Sequence, residues 1–174
     1  MKRVLVVVDM QKDFVDGALG SKEAAAIVPA AVKKIRDFEG DIFVTFDTHF
    51  ENYLETAEGR KLPVAHCIRG TEGWALNAEI ADALAGKQYT PVEKGTFGAT
   101  HLPGLIRDAV GEEAFTLELI GLCTDICVVS NALILKAAFP EAPISVDAAC
   151  CAGVTPEKHL AALETMRSCQ IDVI

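Results

Sequence analysis

The chain alternates short runs of aliphatic and β-branched residues with alanine-rich stretches, and no other feature limits its possible folds as much. Val4–Val8 is an unbroken apolar run, the pattern of a strand buried on both faces. The segments 41–46, 114–120 and 142–146 read the same way, 88–92 is a weaker strand, and 171–174 offers a last one. Between them, residues 23–38, 75–84, 103–110, 125–139 and 156–168 read as helices. Repeated strand–helix units call for parallel strands with helices on both faces. The expectation is an α/β fold: a three-layer αβα sandwich around a mostly parallel sheet, with residues 1–174 forming one domain.

At 174 residues and 51% hydrophobic content, the chain can bury one substantial core. No apolar run reaches the roughly 18 residues of a membrane-spanning helix. The basic start Met1-Lys2-Arg3 is followed by no long apolar segment or cleavage site, so no signal peptide and no membrane partner are expected. A net charge of −9 argues against a nucleic-acid partner, which would need a basic surface. Six cysteines, two of them adjacent (Cys150 and Cys151), in a chain without a secretion signal read as free thiols in a reducing cytoplasm.

In open α/β sheets, ligands bind beyond the carboxyl ends of the strands. Asp9 stands there after the first strand, Asp47 and His49 after the second, Lys94 after the third, and Gly121-Leu122-Cys123-Thr124-Asp125-Ile126-Cys127 after the fourth. Thr124 or Asp125 can cap the following helix, placing Cys127 in its first turn, where free N–H groups favour a thiolate and an oxyanion. Burial at the end of an apolar strand would raise the pKa of Asp9 and make it a usable base, while Lys94 would keep it charged. His49 to Gly73 forms a long polar stretch without periodicity, the kind of loop that usually carries function. His101 is a further candidate near the pocket, His159 reads as a surface residue, and Trp74 reads as core or subunit interface.

Four segments together carry a family resemblance over essentially the whole chain. They are Val-Asp-Met-Gln-Lys-Asp-Phe at 8–14, Asp-Thr-His at 47–49, Glu-Lys-Gly-Thr-Phe-Gly at 93–98 and Gly-Leu-Cys-Thr-Asp-Ile-Cys-Val at 121–128. The chain resembles the isochorismatase-like cysteine hydrolases, and within them the nicotinamidases. The resemblance implies a catalytic triad of Asp9, Lys94 and Cys127. It implies a cis peptide between Leu122 and Cys123, and an oxyanion hole from the backbone N–H groups of Cys123 and Cys127. It also implies a divalent metal (zinc, iron or manganese) held by Asp47, His49, His66 and an intermediate residue. Loop spacing favours Glu58 for that place over Glu55 and Glu51. Phe14 and Phe97 are candidate walls for the substrate ring. The implied reaction is deamidation of nicotinamide to nicotinic acid and ammonia through a cysteine thioester. The alternatives are a relative that hydrolyses N-carbamoyl or ureido amides or isochorismate, or a noncatalytic member. A small-molecule amide and further copies of the chain are the expected partners.

Overall fold

A computed structural model describes residues 1–174. It contains six parallel strands with helices on both faces. Strand β1 (Lys2–Val8) leads through a short helix α1 (Lys12–Val15) to α2 (Lys22–Asp37), then β2 (Asp41–Asp47). The segment that follows holds a 3-10 turn at Tyr53–Glu55 and helix α3 (Ala57–Lys61), ahead of α4 (Ala78–Leu84) and β3 (Thr90–Lys94). Helix α5 (Leu102–Val110), β4 (Phe115–Leu122), a π turn (Thr124–Val128), α6 (Val129–Ala138), β5 (Ile144–Ala152), α7 (Pro156–Ser168) and β6 (Asp172–Val173) complete the chain. The sheet order is β3-β2-β1-β4-β5-β6, every neighbouring pair parallel. The expected α/β architecture is therefore the observed one.

The central strand β1 is buried from Val4 to Val8 because helices cover it on both sides. Successive side chains point to opposite faces. Val4, Val6 and Val8 enter one core with α5, α6 and α7, while Leu5 and Val7 enter the other with α2 and α4. Helix α2 begins at Ser21, whose side chain accepts from the Ala24 N–H, as an N-cap serine does. No helix is long and apolar enough to cross a membrane.

Four expectations are corrected. Strand β5 runs to Ala152 rather than 146, so Cys150 and Cys151 lie in the sheet on opposite faces. The segment 49–73 is not a bare loop. The helix expected at 125–139 opens as a π turn, with Cys123 at the N-cap position and no capping side chain. The helix expected from Ala75 starts at Ala78, because Asn77 caps it through the N–H groups of Glu79 and Ile80. Glycine is required at position 121: φ is +122° there, and a Cβ would collide with the Val8 backbone.

Candidate active site

The sheet order sets the site. Read across the carboxyl edge from β3 to β4, the strands deliver Lys94, Asp47, Asp9 and then, past a turn, Cys127. Lys94 is the last residue of β3 rather than its successor, and it pairs in register with Asp47. Asp9 follows β1 with φ +48°, held by N–H bonding to Thr45. The Leu122–Cys123 peptide is cis.

Lys94 Nζ is the hub. It lies 2.7 Å from Asp9 Oδ2, 3.4 Å from Cys127 Sγ, 3.4 Å from Asp47 Oδ1 and 3.0 Å from the Thr96 carbonyl. Asp9 is wholly buried; its Oδ1 accepts from the Thr45 hydroxyl at 2.6 Å, whereas Oδ2 has no aligned donor. Burial pushes the Asp9 carboxyl up, against the pull of Lys94 and with a push from Asp47. Burial also holds the Cys127 thiol well above its ordinary range, and the Asp9 charge adds to this while Lys94 opposes it. Lys94 would lose its proton more easily on burial alone, but the charges of Asp9, Cys127 and Asp47 reverse that and raise it. The Asp9 carboxyl and the Cys127 thiol thus both lie against the Lys94 amine in a buried setting.

A second group adjoins the first through Asp47. Its other oxygen, Oδ2, lies 3.0 Å from His49 Nε2 and 3.4 Å from His66 Nε2. Glu58 Oε1 is 3.7 Å and 3.8 Å from the same two nitrogens. One ligand atom from each of Asp47, His49, Glu58 and His66 falls within 4.8 Å of all the others. Of the three acidic candidates in the loop, Glu58 is the one brought here, because α3 turns it inward. His66 Nδ1 donates to the Val64 carbonyl at 2.8 Å, which fixes the tautomer and leaves Nε2 facing the cluster. Burial would lower His66, but contact with Asp47, the Val64 carbonyl and the charge of Glu58 together raise it. Burial would raise Asp47, yet the two histidines and Lys94 hold it far below the usual carboxylate range. Mixed nitrogen and carboxylate donors at this spacing suit a transition-metal dication, so the residues could hold a metal.

Both groups open into one cavity of about 330 Å³, lined chiefly by apolar residues. Phe14 and Phe97 line it, and so do Leu19, Leu62, Ile126 and Val154. His101 does not line it; it is exposed at the start of α5. Trp74 is half-buried, donating to the Thr48 hydroxyl and packing on Phe46. His159 is no free surface residue: its Nδ1 lies 2.7 Å from the buried Thr124 hydroxyl. Asp125 Oδ1 accepts from the Val154 N–H at 2.9 Å. Neither Thr124 nor Asp125 caps a helix, because both side chains clasp the π turn to the start of α7. The N–H groups of Ile126 and Val128 are spent on the Cys123 carbonyl, each at 3.0 Å.

The match to known proteins agrees with this layout. The Isochorismatase domain model matches residues 3–174. The chain belongs to the isochorismatase family. An isochorismatase family protein of Bacillus subtilis (strain 168) is 32% identical over 147 residues, covering 76% of this chain and 78% of that one. A solved nicotinamidase/pyrazinamidase from Bacillus subtilis superposes with a TM-score of 0.86 at 27% identity, covering 99% of both chains. A pyrazinamidase of Pyrococcus horikoshii, solved in complex with zinc, gives 0.84 at 25% identity over 100% of this chain and 99% of that one. Both of these solved relatives are nicotinamidase or pyrazinamidase structures.

Proposed function

We propose that this chain is a cysteine-dependent amidase that converts nicotinamide, or a closely similar ring carboxamide, to the acid and ammonia. The carrying observation is the Lys94 Nζ lying 3.4 Å from Cys127 Sγ and 2.7 Å from Asp9 Oδ2, with Cys127 lining an apolar cavity. The cavity itself favours this reading over isochorismate or an N-carbamoyl amino acid. Isochorismate and an N-carbamoyl amino acid carry carboxylates, and the lining offers no lysine or arginine to meet one. A neutral flat ring between Phe14, Phe97 and Ile126 meets no such penalty.

In this scheme Asp9 Oδ2, the oxygen without an aligned donor, takes the thiol proton from Cys127. Lys94 stabilises the thiolate as the charge appears on sulfur. The thiolate attacks the carboxamide carbon, and the oxyanion is received by the N–H groups of Cys123 and Cys127. Collapse expels ammonia with the proton returned from Asp9, leaving a thioester on Sγ. Asp9 then takes a proton from water as the water adds to the thioester carbonyl, and the acid leaves as Cys127 regains its proton. Asp47, His49, Glu58 and His66 would hold a divalent ion, which when bound supplies a Lewis-acid contact to a ring nitrogen. Phe14 and Phe97 exclude water from the ring and orient it. The free state of all six cysteines supports a cytoplasmic setting.

The deciding assay is ammonia release from nicotinamide, pyrazinamide, benzamide and an N-carbamoyl amino acid, with isochorismate cleavage followed in parallel. Turnover of the pyridine and pyrazine amides is expected, weakened by chelator and restored by Zn²⁺, Fe²⁺ or Mn²⁺. Preference for the carbamoyl acid or isochorismate would overturn the reading.

A further inference from the structure

Gln11, Lys12 and Asp13 are the polar residues of the 8–14 segment that the proposed chemistry leaves idle, and Gln11 and Asp13 hydrogen-bond to distant backbone. Gln11 is completely buried. Its Oε1 accepts from the Asp47 N–H at 2.8 Å, and its Nε2 donates to the Asp47 carbonyl at 2.9 Å and to the Trp74 carbonyl at 2.8 Å. One side chain therefore brackets both polar groups of the Asp47 main chain. Asp13 works on the other chain segment. Its Oδ2 accepts from the Cys67 N–H at 2.8 Å, and its Oδ1 from the Ala18 N–H at 3.2 Å. Cys67 has φ +46°, an unfavourable conformation for a residue with a side chain, and it directly follows His66. The Cys67 carbonyl in turn accepts from the His49 N–H at 2.9 Å. Gly73 leaves room for the Asp13 carboxylate, because a Cβ there would collide with it.

We propose that Gln11 and Asp13 are positioning residues for the Asp47–His49–Glu58–His66 group, presetting ligands from two chain segments in one arrangement. The proposal rests on the metal-binding part of the reading above. The Gln11 bracket fixes where the Asp47 side chain starts. The Asp13 contact holds the strained Cys67 peptide, and through it the backbone of both His66 and His49. Without these contacts, the conformational entropy given up in bringing three loop ligands together would be lost on binding rather than during folding. Lost preorganisation appears as weaker metal affinity, typically by 10- to 100-fold for residues behind the ligands.

The test uses the metal-free full chain titrated with Zn²⁺ against a competing chromophoric chelator, with Co²⁺ absorption as a report on coordination. Asp13→Ala and Gln11→Leu are expected to weaken Zn²⁺ about 10- to 100-fold and to alter the Co²⁺ bands. The exposed control Asp16→Asn is expected to leave both unchanged. Thermal melting of the metal-free proteins separates folding from binding. Variants that melt earlier yet bind Zn²⁺ as tightly as the parent would overturn the proposal. If either variant fails to fold, Asp13→Asn, which removes one acceptor while keeping the shape, carries the same measurement. A parent chain that binds no Zn²⁺ would instead overturn the metal reading itself, a result distinct from equal binding by parent and variants.

Discussion

The two groups that share Asp47 are built in opposite ways. Lys94, Asp47 and Asp9 stand at the ends of three adjacent strands, so the sheet register spaces them, and Cys127 comes from the turn after a fourth. His49, Glu58 and His66 come from a segment with little regular structure, tied down by side-chain and backbone contacts to 11–13. The first group inherits its rigidity from the hydrophobic core. The second depends on polar tethers that contribute only about 1 kcal/mol each. The proposed reacting groups sit at or beyond the ends of core strands, whereas three of the four metal-type ligands sit on a segment outside the sheet.

Removal of single members should expose this contrast. Cys127→Ala deletes the nucleophile; ammonia release is expected to fall by about 10⁴-fold or more, with the melting temperature nearly unchanged. Retention of most turnover would remove the covalent scheme. Lys94→Met leaves the Asp9 carboxylate buried without its cation, so it should abolish turnover and cost about 3–5 kcal/mol of stability in urea unfolding. His66→Ala should weaken Zn²⁺ strongly in the same chelator competition, while metal-free unfolding changes far less than for Lys94→Met. If the two variants lost equal stability, the division between core-held and tether-held groups would fail.

The smallest effect concerns pH. Burial raises the Cys151 thiol, with the backbone at Gly121 opposing, and burial pushes the Cys123 thiol up to about 12. In the unfolded chain these thiols ionise near their ordinary value of about 8.5. Above that pH the folded state binds more protons than the unfolded one, so stability falls as pH rises. Melting temperatures measured from pH 7.5 to 10 should decline, and Cys151→Ala should flatten the decline. An unchanged slope would remove Cys151 as a source.

Much of this was legible in the sequence, for physical reasons that differ by element. Val4–Val8 announced itself because a strand buried on both faces has no choice but to be apolar throughout. The residues at strand ends could be assigned to one edge from the parallel topology alone. The end of β5 was not legible: Asp-Ala-Ala-Cys-Cys-Ala has weak strand propensity, and it is a strand because Cys151 and Ala152 pair with Gly121 and Leu122 after a register shift. The four-residue α1 is too short for any periodicity. Gln11 lay in plain view within the 8–14 motif, but its partners are 36 and 63 residues away. Thr124 and Asp125 looked like caps because local bonding is the default for such residues, and tertiary partners on and just before α7 claimed them instead.

That clasp has a consequence for how the molecule is made. Every proposed catalytic side chain has been synthesised once residue 127 leaves the ribosome, yet the turn presenting the thiol is tied to Val154 and His159. The nascent chain therefore carries its complete set of reactive groups before it has the anchor that orients them. A product cut short before residue 154 would hold Asp9, Lys94 and Cys127 and still lack the clasp, so the turn gains its anchor only once α7 is made.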